Sequence, residues 1–534
     1  MWLGLLLLGF SCGCALGHDD FGPWVEPTKG EVFPRVAIRS KSPDFLIVRP
    51  LAFQFNATGQ SCDVLKDAMD RYQSILLNEA RVALKTALPI PRTYVQQSPL
   101  LRGELVTMNI NLRNPCEPYP HFQMNESYIL SINEDTSAYL GADEIWGILR
   151  GLETFSQLLT ASSDGHLTIK CQRILDSPRF PHRGLLLDTS RHYLPVSDIL
   201  LTLDAMSYNK LNVFHWHIVD DNSFPYVSTS FPKLSESGAY HRTMVYTQSN
   251  VRRIIEYARL RGIRVVPEFD SPGHSKSWGN SYPEILTTCY ANGKPNGKLG
   301  PMNPLDDSPT WPMMVTLLTE LFAVFPDRYF HFGGDEVNFD CWASNPEIIE
   351  FMHKKGYQSD FKRLERHYFE RLLTVPREFN VTSIVWQEVY QNNPKLQKHD
   401  MVVHVWTGAW QALMQDLISK NYSTLLSACW YLDDVKSGGD WLKYYLCDPS
   451  DLIATPDELS RVLGGEACMW GEFVDRTNVH SRIWPRASAA AERLWSWGMD
   501  DLDFVAQRLE EHSCRMNRRG IPAQPPNGPG FCVV

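Results

Sequence analysis

The chain has 534 residues, of which 43% are hydrophobic and 21% are charged; this composition excludes a disordered chain and indicates a globular protein with more than one domain. The formal net charge is -10 and the pI is about 5.9. Because no basic cluster is present, nucleic acid is not an expected partner.

The first 17 residues predict a secretory signal peptide. An apolar run at 3–10 is followed by small residues up to Gly17, as in a cleaved leader. The basic residue that usually opens such a leader is missing. No later apolar run approaches the roughly 20 residues that span a bilayer, so we expect no membrane span in the mature chain.

Two further features, the sequons and the cysteines, are consistent with a secretory route. Sequons for N-glycosylation, which mark surface positions, begin at Asn56, Asn125, Asn380 and Asn421. Of the 12 cysteines, Cys12 and Cys14 leave with the leader and ten remain. An oxidising compartment allows these ten to form disulfides, although their spacing does not give the pairing.

Residues 18–176 predict a smaller α+β domain. Segments 81–87 and 142–159 have the apolar spacing of helices, and segments 105–112 and 128–132 read as strands. The domain contains no HExxH signature, so no zinc site and no other metal site is expected there.

Residues 177–534 predict a (β/α)8 TIM barrel, so the fold class is α/β with the smaller domain in front. Continuous apolar runs alternate with segments that are mostly long enough for a helix, which is typical of a parallel sheet covered on both faces. Eight such runs in about 350 residues indicate a closed barrel. The runs are 183–188, 211–218, 263–269, 329–332, 382–386, 401–406, 423–431 and 463–470.

All eight runs end in charged or aromatic residues, and the fourth is the most informative. It stops at Gly333-Gly334, and Asp335 and Glu336 follow directly. A Gly pair adopts dihedrals that other residues avoid, so the chain can turn there and present both acids to one cleft. Barrel enzymes build their active sites at this face, and we predict that this pair is catalytic.

The residue types at the strand ends favour a sugar-binding pocket. They comprise carboxylates, one Arg, several His, one Tyr and four Trp, whereas no phosphate-binding Gly-rich loop and no G-x-S-x-G motif follows a strand. Polar groups would bind hydroxyls and indoles would cover the C–H faces of a pyranose. Cleavage of a glycosidic bond additionally needs an acid and a group that stabilises the cationic centre.

Three motifs carry a family resemblance: RGLLLDTSRHY at 183–193, HFGGDEV at 331–337 and GEACMWGE at 465–472. They resemble the signatures of the β-N-acetylhexosaminidases of glycoside hydrolase family 20, as found in animal lysosomal β-hexosaminidase subunits. The resemblance covers essentially the whole mature chain. It implies an exo-acting, retaining enzyme without a cofactor, which removes terminal β-linked GlcNAc or GalNAc and uses the 2-acetamido group of the substrate as the nucleophile.

The resemblance also implies roles for individual residues. Glu336 would be the general acid and then the base, Asp335 would orient the acetamido N–H, and Tyr431 would hold the acetamido oxygen. We expect the neighbouring anion to raise the pKa of the acid. The other implied site residues are the pocket walls Trp386, Trp406 and Trp470, the hydroxyl ligands Arg191, Asp433 and Glu472, and the supporting pair Asp220 and His274.

Some of these residues have structural alternatives: Trp386 and Trp406 as barrel packing, Tyr431 as a core residue, and Asp220 and His274 as structural support.

One position suggests the substrate. After Tyr431-Leu432, one subunit type of the family has Asn-Arg and accepts 6-sulfated sugar, and the other has Asp-Leu and prefers neutral sugar. This chain has Asp433-Asp434, and two anions would repel a sulfate. We therefore expect a preference for neutral sugars.

By resemblance the disulfides would be Cys62–Cys116, Cys289–Cys341 and Cys514–Cys532. Cys171, Cys429, Cys447 and Cys468 are left over. We expect Cys429 and Cys468 to be buried thiols on adjacent strands, and a bond between these two is the alternative.

The resemblance further implies a homo- or heterodimer with a related subunit, and a lysosomal or secreted location. Residues 292–295 match a segment that one subunit type uses with a ganglioside activator protein. Lys294 replaces an acidic residue there, so docking of the activator stays open.

Two other functions compete with this interpretation. A metal-dependent amidohydrolase barrel would use His215, His217, His274 and Asp335, but its His pair would belong to the first strand, and no strand ends in a bridging Lys. A non-catalytic sugar-binding barrel would usually lack the acid, whereas Glu336 is present.

Overall fold

The computed structural model describes residues 24–88, 95–394, 396, 401–433 and 439–533. The predicted signal peptide and Asp434 lie outside the described residues. No helix among the described residues is long and apolar enough to cross a membrane.

The N-terminal part forms one mixed sheet with two helices on it. The spatial order of its strands is β2-β4-β6-β5-β8-β1-β3, and β7 pairs with β8. The strands are β1 (Ile38–Val48), β2 (Gln54–Ala57), β3 (Leu101–Leu105), β4 (Thr107–Leu112), β5 (Tyr128–Ile132), β6 (Ala138–Ala142), β7 (Thr160–Ala161) and β8 (Leu167–Asp176). The helices are α1 (Asp63–Lys85) and α2 (Ile145–Gln157).

These elements confirm the predicted α+β character and shift some boundaries. Segment 81–87 overlaps the end of the longer α1, and segment 105–112 is split at the exposed Val106 into β3 and β4. All residues of α2 are buried, because α2 lies between the sheet and the barrel: Arg150 donates to the backbone oxygens of Arg261 and Gly262. The domain boundary after residue 176 stays a prediction.

The following strands form a closed parallel barrel in the order β10-β11-β14-β15-β16-β17-β18-β9. The strands are β9 (His182–Asp188), β10 (Val213–Val219), β11 (Arg264–Phe269), β12 (Leu286–Ala291), β13 (Lys294–Met302), β14 (Tyr329–His331), β15 (Thr382–Trp386), β16 (Met401–Val405), β17 (Ser423–Leu426) and β18 (Val462–Met469). All eight predicted barrel strands are confirmed, but the seventh ends at Leu426 instead of residue 431. β12 and β13 form a separate antiparallel hairpin that turns at residues 292–293.

Helices surround the barrel. They are α3 (Val196–Tyr208), α4 (Lys233–Gly238), α5 (Gln248–Arg259), α6 (Thr310–Val324), α7 (Asp340–Ser344), α8 (Pro346–Lys354), α9 (Phe361–Leu372), α10 (Thr374–Glu378), α11 (Gln387–Asn392), α12 (Trp410–Ser419), α13 (Trp441–Leu446), α14 (Pro456–Leu459), α15 (Val479–Ile483), α16 (Arg486–Trp495) and α17 (Leu502–Arg518). Short 3-10 turns lie at Val95–Gln97, Lys276–Asn280 and Pro283–Ile285.

The barrel interior changes from apolar to polar towards the carboxyl ends of the strands. One layer is aliphatic: Val213, Val266, Ile384, Val402, Leu425 and Leu463. The next is ionisable and fully buried: His215, Glu268, His331, His404 and Glu466. A Cβ on Gly184 would lie 2.4 Å from Cγ of Glu466, so a glycine is needed there to admit this acid.

Candidate active site

The turn after β14 places two acids at the mouth of the barrel, as the glycine pair predicts. Gly333 and Gly334 have φ values of 68° and 99°. A Cβ on Gly333 would lie 1.7 Å from Oδ1 of Asp270, and that oxygen accepts the N–H of Gly334 at 2.9 Å. The carboxyl at the end of β11 therefore holds the turn that presents Asp335.

A single imidazole faces both acids. Nε2 of His274 lies 3.7 Å from Oδ2 of Asp335 and 3.7 Å from Oε2 of Glu336. Nδ1 of the same ring lies 3.3 Å from Oδ1 of Asp220. The structure thus brings the two predicted supporting residues, Asp220 and His274, together with this pair of acids.

Arg191 is in direct contact with this group. It donates to Oδ2 of Asp188 at 2.9 Å and forms an ion pair with Oδ2 of Asp220 at 2.8 Å. Its guanidinium carbon lies 5.1 Å from the ring centroid of Trp470, and Glu472 is 3.9 Å away. These contacts hold the guanidinium across the site, where it can bind vicinal hydroxyls.

The predicted aromatic residues meet in one cluster. The rings of Trp406 and Tyr431 are stacked with 6.0 Å between centroids, and Trp470 lies 6.1 Å from Trp386 and 6.3 Å from Tyr431. Trp386 is 1% exposed and belongs to both the barrel core and this cluster. Trp386 and Trp470 pack with Leu186 and Cys468, and Trp406 and Tyr431 lie against them.

The loop that carries Tyr431 and Asp433 is held by a disulfide that the sequence reasoning missed. Cys429 is bonded to Cys447, so its prediction as a buried thiol is wrong. The physical reason is that β17 ends at Leu426, which places Cys429 in a loop that returns next to the end of α13. Cys468 and Cys171 are buried free thiols.

The other three disulfides are those implied by the family resemblance: Cys62–Cys116, Cys289–Cys341 and Cys514–Cys532. At the sequons, Asn56, Asn380 and Asn421 are exposed, and Asn125 is half-buried with Oδ1 accepting from Ser127. Glycosylation at these positions stays a prediction.

The electrostatics correct one expectation. The neighbouring anion predicts a raised pKa for Glu336, but the nearby His274 lowers this pKa from its usual value, against the effect of partial burial. Burial disfavours a charge on His274, yet Asp220, Glu336 and Asp335 raise its pKa far above its usual value. The pair therefore faces an imidazolium, and the positive charge outweighs the neighbouring anion.

Two further carboxyls at the site were not assigned a role from the sequence. Burial and the neighbouring Asp335 raise the pKa of Asp270 well above its usual value. Burial also raises the pKa of Glu388 to about 7, and both of its oxygens accept from the indole N–H of Trp406 at 3.0 Å. Both acids follow predicted barrel strands, and this position in the sequence could have identified them as site residues.

A cavity of about 480 Å³ opens beside Glu336 and His274. Its far wall is the β12–β13 hairpin and α7, which are joined by Cys289–Cys341. None of the four residues of the aromatic cluster lines this cavity.

The two histidines that the amidohydrolase alternative would use as metal ligands on β10, His215 and His217, contact carboxylates at hydrogen-bond distance. Nδ1 and Nε2 of His215 lie 2.7 Å from Glu466 and 2.9 Å from Glu268. The two nitrogens of His217 lie 2.7 Å from Glu268 and 2.8 Å from Asp220. Each nitrogen of this pair therefore faces a carboxylate oxygen, and one nitrogen of each ring faces the same Oε2 of Glu268.

A barrel with carboxylates, a guanidinium and an aromatic cluster at its carboxyl face has the groups that a glycoside hydrolase needs. The chain belongs to glycosyl hydrolase family 20: residues 180–497 match the catalytic domain of that family, and residues 32–158 match a "beta-acetyl hexosaminidase like" domain. It is accordingly a β-N-acetylhexosaminidase, which confirms the resemblance and replaces the two competing interpretations.

Known relatives are similar over nearly the whole chain. It is 45% identical to the beta-hexosaminidase subunit beta of Homo sapiens, with coverage of 94% of this chain and 89% of the relative. It is 46% identical to the subunit alpha of Mus musculus, with coverage of 90% and 91%. Among solved structures, the chitobiase of Flavobacterium johnsoniae superposes with a TM-score of 0.78 at 30% identity, over 92% of this chain and 73% of that one.

Proposed function

We propose that this enzyme removes terminal, non-reducing β-linked GlcNAc or GalNAc from glycoconjugates with retention of configuration, and that the substrate supplies the nucleophile. The observation that carries the proposal is the arrangement around His274, which faces Asp335 and Glu336 at 3.7 Å each. Glu336 is 61% exposed and lines the neighbouring cavity, whereas the Asp335 side chain is 14% exposed.

In the first step, Glu336 donates its proton to the glycosidic oxygen as the bond from that oxygen to C1 breaks. The acetamido oxygen attacks C1 and forms a cyclic oxazolinium ion. Asp335 accepts the acetamido N–H and Tyr431 donates to the acetamido oxygen, which fixes the amide in the attacking orientation. A fixed amide needs no protein nucleophile, unlike the two-carboxylate scheme.

In the second step, the Glu336 carboxylate takes a proton from water while the water oxygen attacks C1. The C1–O bond of the oxazolinium ring breaks and the acetamido group is restored. Two inversions at C1 give net retention. Arg191, Asp433 and Glu472 bind sugar hydroxyls, and Trp386, Trp406 and Trp470 enclose the acetamido methyl group.

The test varies the acyl group of an aryl β-glucosaminide from acetyl to mono-, di- and trifluoroacetyl. Each fluorine makes the carbonyl oxygen a weaker nucleophile, so we expect kcat/KM to fall steeply along the series. A flat series would contradict the proposal, because a protein nucleophile does not depend on the basicity of the amide. The anomer of the initial product, measured by NMR, checks retention independently.

The proposed substrate preference is for neutral sugars. Asp433 is part-buried and close enough to Tyr431 to act on it electrostatically, and its carboxylate would repel a sulfate at O6. Kinetic comparison of neutral and 6-sulfated aryl GlcNAc and GalNAc across pH tests this; comparable kcat/KM values for the two would contradict it.

We further propose that the enzyme works as a homo- or heterodimer with a related subunit and in the lysosome or outside the cell. Two similar proteins are named as subunits alpha and beta, and four disulfides among the described residues suit an oxidising compartment. The exposed turn at residues 292–293, next to Lys294, is the place to test docking of a ganglioside activator protein.

A further inference from the structure

A row of alternating carboxyl and imidazole groups runs through the barrel interior to the active site. Oε2 of Glu466 lies 2.7 Å from Nδ1 of His215, and Nε2 of that ring lies 2.9 Å from Oε2 of Glu268. The same Glu268 oxygen lies 2.7 Å from Nδ1 of His217, whose Nε2 lies 2.8 Å from Oδ2 of Asp220. The row therefore ends at Asp220, which contacts His274 beside the catalytic pair.

These contacts fix the protonation of His217. Both ring nitrogens face carboxylate oxygens, and an ionised carboxylate only accepts hydrogen bonds. A neutral imidazole has a single N–H, so both contacts are hydrogen bonds only when His217 is an imidazolium. Burial disfavours this charge, but Glu268 and Asp220 raise the pKa of His217 well above its usual value. The nearby Arg191, at 3.5 Å from Nε2, acts in the opposite direction.

Glu268 has a second role through its other oxygen. Oε1 accepts the indole N–H of Trp386 at 2.8 Å and lies 3.2 Å from Nδ1 of His331. Glu268 is fully buried, and the groups that face it come from three strands: His215 and His217 from β10, His331 from β14 and Trp386 from β15. One carboxylate thus contacts the acid side and the acetamido side of the active site.

We propose that Glu268 is a positioning residue for hydrolysis, which joins these two sides of the site. On the acid side it acts through His217 and Asp220, which hold His274 against the catalytic pair. On the acetamido side it acts through Trp386. Glu268 itself does not touch the sugar, and the inference rests on the proposed function of Glu336 as the general acid.

A glutamine at this position keeps the shape but cannot replace the carboxylate. Its NH2 group must face either the indole N–H of Trp386 or the N–H groups of the two imidazoles, and a donor cannot accept. In both orientations the negative charge that supports the His217 imidazolium is lost. We therefore expect Glu268→Gln to misalign His274 and weaken proton donation by Glu336.

The test compares two aryl β-N-acetylglucosaminides with different leaving groups. Phenoxide needs protonation to leave, whereas 2,4-dinitrophenoxide does not. For Glu268→Gln we expect kcat/KM on the phenyl substrate to fall on the order of 10²-fold, the size of a misplaced catalytic group. The ratio of kcat/KM values, dinitrophenyl over phenyl, should rise at least about tenfold, because general acid catalysis contributes about 10² or more.

A purely structural role would lower the fraction of active enzyme and leave this ratio unchanged, and that result would overturn the inference. The matched control is Glu126→Gln, another buried carboxylate, which pairs with Arg150 and Arg183 at the amino end of the barrel. It should lower thermal stability without changing the ratio.

Two further variants separate a failure of this inference from a failure of the proposed function. Glu336→Gln should raise the dinitrophenyl-to-phenyl ratio, and if it does not, the proposed function is wrong. If Glu336→Gln raises the ratio and Glu268→Gln leaves it unchanged, only this inference is wrong. Should Glu268→Gln not fold, His217→Asn retains a donor towards Glu268 but none towards Asp220. It should raise the ratio as well, and an unchanged ratio in a folded His217→Asn variant would equally overturn the inference.

Discussion

His274 and Glu336 face each other at 3.7 Å across the mouth of the barrel, and both have left-handed backbone conformations, with φ values of 48° and 50°. Such a conformation costs a residue with a side chain about 1 to 3 kcal/mol and persists only where the surrounding fold imposes it. The fold therefore holds this contact in a geometry that neither residue adopts by local preference, and such strained positions cluster at active sites.

Asp335→Asn should lower kcat by about 10²- to 10³-fold, the usual loss when one oriented hydrogen-bonding group at a reacting centre is removed. The loss should be similar for phenyl and dinitrophenyl substrates, because Asp335 acts on the acetamido group and not on the leaving group. Steady-state kinetics on both substrates measures this. The control is Asp340→Asn, which should change kcat little. Asp340 is an exposed acid that lines the cavity beside Glu336 and His274. If the kcat of Asp335→Asn on the dinitrophenyl substrate returned to near the wild-type value, the role assigned to Asp335 would be contradicted.

Loss of the Cys429–Cys447 disulfide should weaken substrate binding. The bond closes a loop with a sequence separation of 18 that includes Tyr431 and Asp433, and such a loop contributes about 3 kcal/mol in the chain-entropy account. Cys447→Ser should therefore lower thermal stability and raise KM. Cys532→Ser breaks another disulfide with a separation of 18, away from the site, and should lower stability with KM unchanged. Equal KM values for both variants would rule out a role of the loop in binding.

Glu365→Gln should stabilise the protein at neutral pH. Burial raises the pKa of Glu365 to about 7, above the unfolded value of about 4.5. The folded state then binds more protons than the unfolded state in this window, so the contribution of Glu365 to stability falls as the pH rises from about 4.5 to 7. The shift corresponds to at most about 3 kcal/mol.

Denaturant unfolding of wild type and Glu365→Gln at pH 4.5 and 7.5 measures this difference. The variant should gain stability relative to wild type at pH 7.5 only. Glu370→Gln, at an exposed position of the same helix α9, should show no such gain. An equal effect of Glu365→Gln at both pH values would show that the carboxyl does not titrate in this window.

Asp433→Asn should improve the turnover of 6-sulfated substrates. Removing one anion near a sulfate relieves about 1 kcal/mol of repulsion in a hydrated site, or roughly fivefold in kcat/KM. The ratio of kcat/KM for sulfated over neutral aryl GlcNAc should rise by this factor. Asp451→Asn, an exposed acid elsewhere on the surface, should leave the ratio as it is. A fall in the ratio for Asp433→Asn would contradict the repulsion argument.

The strand positions and the identity of the predicted site residues can be read from local patterns. Continuous apolar runs identify buried parallel strands, and residues that follow such runs share one face of the barrel. For this reason the sequence alone predicts that Arg191, His274, Asp335 and Trp470 share one face of the barrel. In the folded chain Arg191 lies against Trp470, and His274 faces Asp335.

Contacts between distant segments are not readable in the same way. The pairing of Cys429 with Cys447 depends on where β17 ends, and the strand stops five residues before the apolar run does. Asp270 and Glu388 are visible as strand-end acids, but their raised pKa values arise from burial and neighbours that only packing supplies.

The amino-acid sequence by itself determined the barrel, its carboxyl-end face and the acids Asp335 and Glu336, because periodicity and a glycine turn are properties of neighbouring residues. Only the tertiary structure decided the charge of the site. His274 lowers the pKa of Glu336, and Glu268 supports the imidazolium of His217, since electrostatic interactions depend on distance and burial, which a linear sequence does not contain.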